Sequence, residues 1–222
     1  KRPILVGGTG LYLDALLRGI DFAAGSQDTP LRRQLQERLH CEGAEALLEE
    51  LRHIDPDSAA RLHLRDEKRI LRALEVYQET GETITQHDRR TREQPPRYEG
   101  LFIGLNFQDR QDLRDRIDRR VDDMVAQGLL DEVRSLLRSG LPRTATAWQA
   151  IGYKQFLAVA DGRMTEADAV EEVKLRSRQY AKRQLTWLRR NEAIHWVLWD
   201  KVPDFPSGLQ NATTFLTSSG VC

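Results

Sequence analysis

The chain has 222 residues, enough for one or two domains with a real core. Its 34 basic and 34 acidic residues cancel, so no global field points to a polyanion. No apolar run reaches transmembrane length, no signal-peptide h-region follows Lys1-Arg2-Pro3, and Cys41 and Cys222 are too few and too far apart for a disulfide framework or a zinc site. A reducing cytoplasm is the expected compartment.

Ile4-Leu5-Val6 reads as a short buried strand, and Gly7-Gly8-Thr9-Gly10 as a tight loop. Leu11, Tyr12, Ala15 and Leu16 then recur at helical spacing. Strand, glycine loop and helix make half of an α/β unit, which handles phosphate or nucleotide at the strand's C-terminal end. The loop is no Walker A motif, since Leu11-Tyr12 stands where Lys-Ser/Thr is needed. Two readings stay open for its glycines: a turn at positive φ, or close approach of a substrate to the backbone with Thr9 as a polar contact. A parallel strand needs partners, and candidates are few, so the natural protein is expected to begin earlier.

Leu17–Thr29 reads as a linker. Thr29-Pro30 starts a helix with Leu31, Leu35 and Leu39 on one face, and Gly43 interrupts before a second helix over Ala44–Leu51. Asp55 caps a third helix; Asp66 caps a fourth, with Ile70, Ala73, Leu74 and Tyr77 on one face and Gly81 as its stop. The result is an all-helical block over Thr29–Thr91, closed by a linker at Arg90–Arg97. Leu101–Phe107 is the next strand, and Asp109–Gly140 a long helical region. Pro142–Thr146 is a loop, and Ala147–Ala160 a short helix. Thr165 and Asp168 open a helix running to about Arg190. His195–Trp199 is a last strand, and the Ser/Thr/Gly/Pro-rich tail from Asp204 is expected to end loosely.

Although the net charge is zero, cations cluster. Arg65, Arg69 and Arg72, with Lys68, form a stripe that is either a solvated face paired to Asp66, Glu75 and Glu79 or a phosphate-contact surface for RNA. Arg116 and Arg120 lie one turn apart beside an apolar seam and could grip a pyrophosphate. Their neighbours have local acids in the pairs Asp115–Arg119, Arg114–Asp118 and Arg119–Asp123. Lys182–Arg189 mixes cations with Gln184, Thr186 and Trp187, a composition suited to phosphates and unpaired bases, or to a basic helix packing Leu185 and Leu188. The five His show no metal spacing, and no nucleophilic triad or general base can be picked out.

Taken in order, VGGTGLYLDALLRG, IDPDSAARLHLRDEKRILRALEVYQETG, LRDRIDRRVDDMVAQGLLDEVRSLL, AIGYKQF and YAKRQLTWLRR resemble the tRNA dimethylallyltransferase family from Pro3 to about Trp199. The resemblance implies an α/β, helix-rich chain with a P-loop-kinase-like core and an inserted all-helical tRNA-binding domain. The core would be residues 1–28 and 98–222, the insert 29–97. It implies transfer of a dimethylallyl group from dimethylallyl diphosphate to the exocyclic amine of the adenosine 3′ of the anticodon. Partners would be the tRNA anticodon stem-loop and the diphosphate, in a monomer without membrane contact.

Carried over by motif, Thr9 and Arg32 would contact tRNA. So would Lys68, Arg69, Ile70, Leu71 and Arg72 (KRILR), and Gln149, Ala150, Ile151, Gly152, Tyr153 and Lys154 (QAIGYK). Lys182, Arg183, Gln184, Leu185, Thr186, Trp187, Leu188 and Arg189 (KRQLTWLR) complete the RNA path. Arg116 and Arg120 match the family's RI-x-x-R positions and would neutralise the diphosphate. The family's GPTASGKT-like loop and general-base aspartate precede VGGTG and are absent here, and with them the expected Mg²⁺ ligands. The chain therefore reads as a fragment that lacks the alkylation machinery. The alternatives are a non-catalytic tRNA-binding fragment and an adenylate isopentenyltransferase acting on free nucleotide; the latter would not need the KRILR stripe.

Overall fold

The computed structural model of the protein describes residues 3–19 and 29–220, and most of the opening linker lies outside them. It is helix-rich α/β, with a small parallel sheet. Backbone contacts divide the chain into two compact units, Leu11–Gly100, and Lys1–Gly10 together with Leu101–Cys222. The sequence reading drew its boundaries at 28 and 97 instead. Helix α1 (Gly10–Arg18) falls mostly to the helical unit, because Leu17 O accepts from Tyr98 N at 3.0 Å and the Leu17 side chain lies against Gly100.

In the helical unit, α2 (Pro30–Ile54) begins where Thr29 Oγ1 accepts from Arg32 N at 3.1 Å. Gly43, non-helical at φ 84° and ψ 165°, interrupts this span as the sequence reading expects, so that two helices meet there at a kink. Leu35, Leu47 and Leu51 of α2 pack with Ile70, Leu71 and Leu74 of α4 (Glu67–Thr80). Burying each such side chain is worth roughly 1.5–3 kcal/mol, and this layer is the unit's core. Asp55 is buried at the start of α3 (Pro56–Ala59) and is satisfied by Ser58 N at 3.0 Å, Thr85 N at 3.0 Å and Thr85 Oγ1 at 2.7 Å. These bonds tie α3 to α5 (Ile84–Glu93), a helix the sequence reading passed over despite the Thr83/Gln86 capping box. The Arg90–Arg97 linker is correspondingly shorter. Asp66 does not cap α4 through its side chain; its Oδ2 accepts from His63 N at 3.1 Å.

In the second unit, β1 (Phe102–Phe107) and β2 (Ile194–Trp199) pair in parallel, from Phe102 opposite Ile194 to Phe107 opposite Trp199. Parallel neighbours need a crossover, and four helices supply it: α6 (Arg110–Ala126), α7 (Leu129–Arg138), α8 (Tyr153–Ala160) and α9 (Glu166–Leu188). The long helical region is thus two helices, broken at Gly128 with φ 94°. Val121, Val133, Trp148, Phe156, Ala169 and Val173 form the core of this unit.

Two expectations fail here. Ile4–Val6 forms no strand, and Ile4 and Val6 are 88% and 94% exposed. A strand is held by its neighbour's ladder, and β1 pairs with β2, so this run has no partner among the described residues. The tail is not loose either. It forms α10 (Phe205–Ser218), capped by Asp204 accepting from Ser207 N at 3.1 Å. Phe215 stacks on His195 with ring centroids 4.3 Å apart, and Trp199 meets Phe205 edge-on. Packing against β2 overrides a composition that suggested a loop.

Candidate functional site

The glycine loop is explained by contacts. None of Gly7, Gly8 and Gly10 has positive φ, so the turn reading does not hold. A Cβ on Gly8 would lie 2.2 Å from Gln184 Nε2, and one on Gly10 would lie 1.9 Å from Trp187 Cδ1. Gln184 Nε2 donates to Gly8 O at 2.9 Å. What approaches the backbone is α9 itself, and the exposed Thr9 sits between the two contacts.

Helices α6 and α9 frame a cleft of about 1050 Å³. Arg116 and Arg120 line it from α6, and Ser177, Tyr180 and Gln184 from α9. Met124 and Ile151 give it an apolar floor. Neither arginine forms an ion pair with any described residue. The local pairs suggested around them do not form. Asp118 is taken by Arg178, at 2.6 Å to each oxygen, and Arg119 reaches only the main-chain oxygen of Asp115, at 3.4 Å. Asp122 and Asp123 also line the cleft; Asp123 forms no ion pair with a described residue, and Lys174 Nζ holds Asp122 at 2.7 Å. That bond raises the Lys174 pKa.

The QAIGYK segment supports one wall. Gln149 and Ala150 are exposed on the turn before α8, and Ile151 enters the cleft. Gly152 has φ 101°, a conformation that strains any residue with a Cβ, and its N donates to Gln155 Oε1 at 3.0 Å. Tyr153 OH donates to Glu132, a bond that raises the phenol's pKa. Lys154 is exposed. Before it, Trp148 Nε1 donates to Pro142 O at 2.9 Å, and Arg143 makes two 2.7 Å bonds to Asp161.

On α9, Lys182, Arg183 and Arg189 are exposed, while Leu185 and Leu188 are half-buried on the packing side. Thr186 Oγ1 donates back to Lys182 O at 2.8 Å, and Arg183 lies over the Tyr180 ring. In the helical unit, Lys68 and Arg69 are exposed on α4, whereas Ile70 and Leu71 are buried in the core and present no side chain for RNA. Arg72 takes the ion-paired alternative. Its guanidinium and that of Arg32 each bond Glu75 Oε2 at 2.8 Å. Glu75 is fully buried, and its other oxygen has no partner among the described residues. The sequence offered Glu75 only as one of three acids near the stripe; its place on the apolar face of α4, one turn from Arg72, was the available signal.

No three His, Cys, Asp or Glu side chains among the described residues could hold a metal ion. The chemistry that Arg116 and Arg120 offer is charge neutralisation by guanidinium. No helix of the described residues is long and apolar enough to cross a membrane.

Comparison with known proteins places the chain. The IPP transferase family model matches residues 1–191. The chain is 48% identical to tRNA dimethylallyltransferase 1 of Trichlorobacter lovleyi, over 90% of this chain and 65% of the relative. It is 37% identical to the tRNA dimethylallyltransferase of Acetivibrio thermocellus, over 100% of this chain and 70% of the relative. Among solved structures it resembles the full-length tRNA isopentenylpyrophosphate transferase of Bacillus halodurans, with TM-score 0.60 and 35% identity, over 95% of this chain and 64% of that one. It also resembles a eukaryotic dimethylallyltransferase acting on tRNA, with TM-score 0.67 and 28% identity, over 94% and 53%. The chain spans between half and seven-tenths of the length of these proteins. Matched by the family model through residue 191 and by a relative along its whole length, the chain belongs to the IPP transferase family.

Proposed function

We propose that this chain serves tRNA modification: the transfer of a dimethylallyl group from dimethylallyl diphosphate to the exocyclic amine of the adenosine 3′ of the anticodon. One observation carries the reading beyond family membership. Arg116 and Arg120 line a cleft and form no ion pair with any described residue. In the reaction the amine nitrogen bonds the allylic carbon as the carbon–oxygen bond to diphosphate breaks. Negative charge grows on the leaving oxygen, and preorganised cations that meet it lower the barrier. Arg116 and Arg120 are assigned that role. Proton removal is left to the aspartate that, by the resemblance, precedes the glycine loop in the family, along with the Mg²⁺ ligands. Lys68, Arg69 and the exposed cations of α9 are assigned to phosphates of the anticodon stem-loop, and the helical unit of Leu11–Gly100 to the inserted tRNA-binding domain of a P-loop-kinase-like fold.

The test is fluorescence anisotropy with a labelled anticodon stem-loop carrying adenosine 3′ of the anticodon. The chain should bind it with an affinity that falls steeply with salt. Binding no tighter than to an unrelated hairpin at every salt concentration would reject the reading.

A further inference from the structure

Helices α6 and α9 frame a second groove, of about 610 Å³, beside the Arg116/Arg120 cleft. Leu113, Ile117 and Ala181 line both and form the partition. At about 100° per residue, Arg110 and Arg114 sit roughly 120° around α6 from Arg116 and Arg120, so the two arginine pairs serve different openings. From α9 the groove receives Lys182 and Arg189.

Its charge is one-sided. Asp118 is the one acid in the lining, and Arg178 occupies both its oxygens at 2.6 Å. That pair cancels. Arg110, Arg114, Lys182 and Arg189 form no ion pair with any described residue. The contact of Arg114 with Gln111 Oε1, at 3.5 Å, is too long to engage it. Four uncompensated cations thus share one groove with the neutral donors Gln108 and Gln179. Mutual repulsion makes this costly for the free protein and favourable for a bound polyanion.

We propose that this groove binds backbone phosphates of the tRNA substrate, separately from the diphosphate cleft; the inference rests on the tRNA reading above. The spacing favours a strand over a free diphosphate. Lys182 and Arg189 are seven residues apart, about 10 Å along α9, whereas a diphosphate concentrates its charge within a few ångströms. Arg110 and Arg114 are accordingly tRNA-binding residues.

The experiment measures stem-loop affinity of the 222-residue chain by anisotropy across a salt series, with and without millimolar inorganic pyrophosphate. Wild type is compared with the double variants Arg110→Ala/Arg114→Ala and Arg110→Lys/Arg114→Lys. Each lost phosphate contact should make the log–log salt slope shallower by roughly 0.7–0.9. The alanine variant should bind at least fivefold more weakly with a shallower slope, and the lysine variant should keep the wild-type slope. Pyrophosphate should leave the difference in place. An alanine variant with wild-type affinity and slope overturns the proposal while the tRNA reading stands. A difference abolished by pyrophosphate overturns it in favour of a free-diphosphate site. A wild-type chain that does not bind the stem-loop removes the underlying reading, and the proposal with it.

Discussion

Gln184 donates to the carbonyl oxygen of Gly8 at 2.9 Å, joining residues 176 positions apart. This bond fastens the glycine loop to the helix that lines the arginine cleft, with Trp187 seated on Gly10 one turn further along α9. A side chain at Gly8 or Gly10 would collide with α9, whereas Gly7 has open space around it.

Gly10→Ala should therefore destabilise the protein even though Gly10 begins a helix. Alanine gains roughly 0.5–1 kcal/mol of helix preference over glycine. Forcing a methyl to within 1.9 Å of the Trp187 indole is an overpacking, which costs typically about 1–3 kcal/mol. Gly8→Ala should cost about 0.5–1.5 kcal/mol, the worth of the bond to Gly8 O that the flexible Gln184 amide gives up as it swings away, and should add little once Gln184→Ala has removed that amide. Urea unfolding of the two single variants and the double variant gives the coupling; strict additivity would mean the two residues do not meet.

Glu75→Ala should be among the most damaging single changes in the helical unit. It removes the carboxylate that Arg32 and Arg72 share, and because both guanidiniums are partly exposed to water the expected loss is about 1–3 kcal/mol. Glu75→Gln keeps the shape and one acceptor, and should cost less. Denaturant midpoints compare the two; equal loss would show that shape, not charge, holds the arginines.

Arg116→Ala and Arg120→Ala should act on turnover. Removing one group that stabilises transition-state charge lowers the rate by roughly 10²–10³. In the complete enzyme each variant should lose that much in single-turnover rate while stem-loop affinity changes less than about threefold. A variant that loses affinity and keeps its rate constant would move that arginine to the RNA surface.

Acid should loosen the tie between the Pro142–Thr146 loop and the C-terminal end of α8, where Asp161 lies. Bonds from Arg143 first, and then Arg163, hold the Asp161 carboxyl well below the usual carboxylate range. Its stabilising contribution is complete above the unfolded carboxylate pKa of about 3.9 and is lost as pH falls through the lower folded value. Carboxyl-carbon NMR should show Asp161 titrating below its exposed neighbours, and Arg143→Ala should move its midpoint up. An unmoved midpoint would show that the solid-looking Arg143 fork is not formed in solution.

How far the sequence could be read follows from which forces are local. Thr29 capping Arg32 N, Gly81 ending α4 in the left-handed region and Leu35 with Ile70 in one core were all legible, because caps and helical periodicity act within a few residues. Ile4–Val6 looked like a strand because its residue types suit one, yet a strand depends on a neighbour that no local pattern supplies. Helix α10 was missed for the converse reason: Phe215 is ordered by His195, twenty positions back on β2. At the site, the Arg116/Arg120 spacing was visible; what no local pattern could show is that Asp118, offered as the partner of Arg114, is held by Arg178 from α9. Gln184 was singled out by resemblance; its partner Gly8 O could not have been.

The most direct measurement of the central claim puts this chain in place of the matched 70% of the Acetivibrio thermocellus relative, leaving the rest of that relative intact. The purified chimera, shown by circular dichroism to be folded, is incubated with dimethylallyl diphosphate, Mg²⁺ and an anticodon stem-loop, and the nucleosides are analysed by mass spectrometry. The prediction is a dimethylallyl group on the exocyclic amine of the adenosine 3′ of the anticodon, lost when that adenosine is replaced or when Arg116 and Arg120 are both alanine. A folded chimera that binds the stem-loop but leaves it unmodified, or that prenylates free adenosine monophosphate instead, would contradict the account.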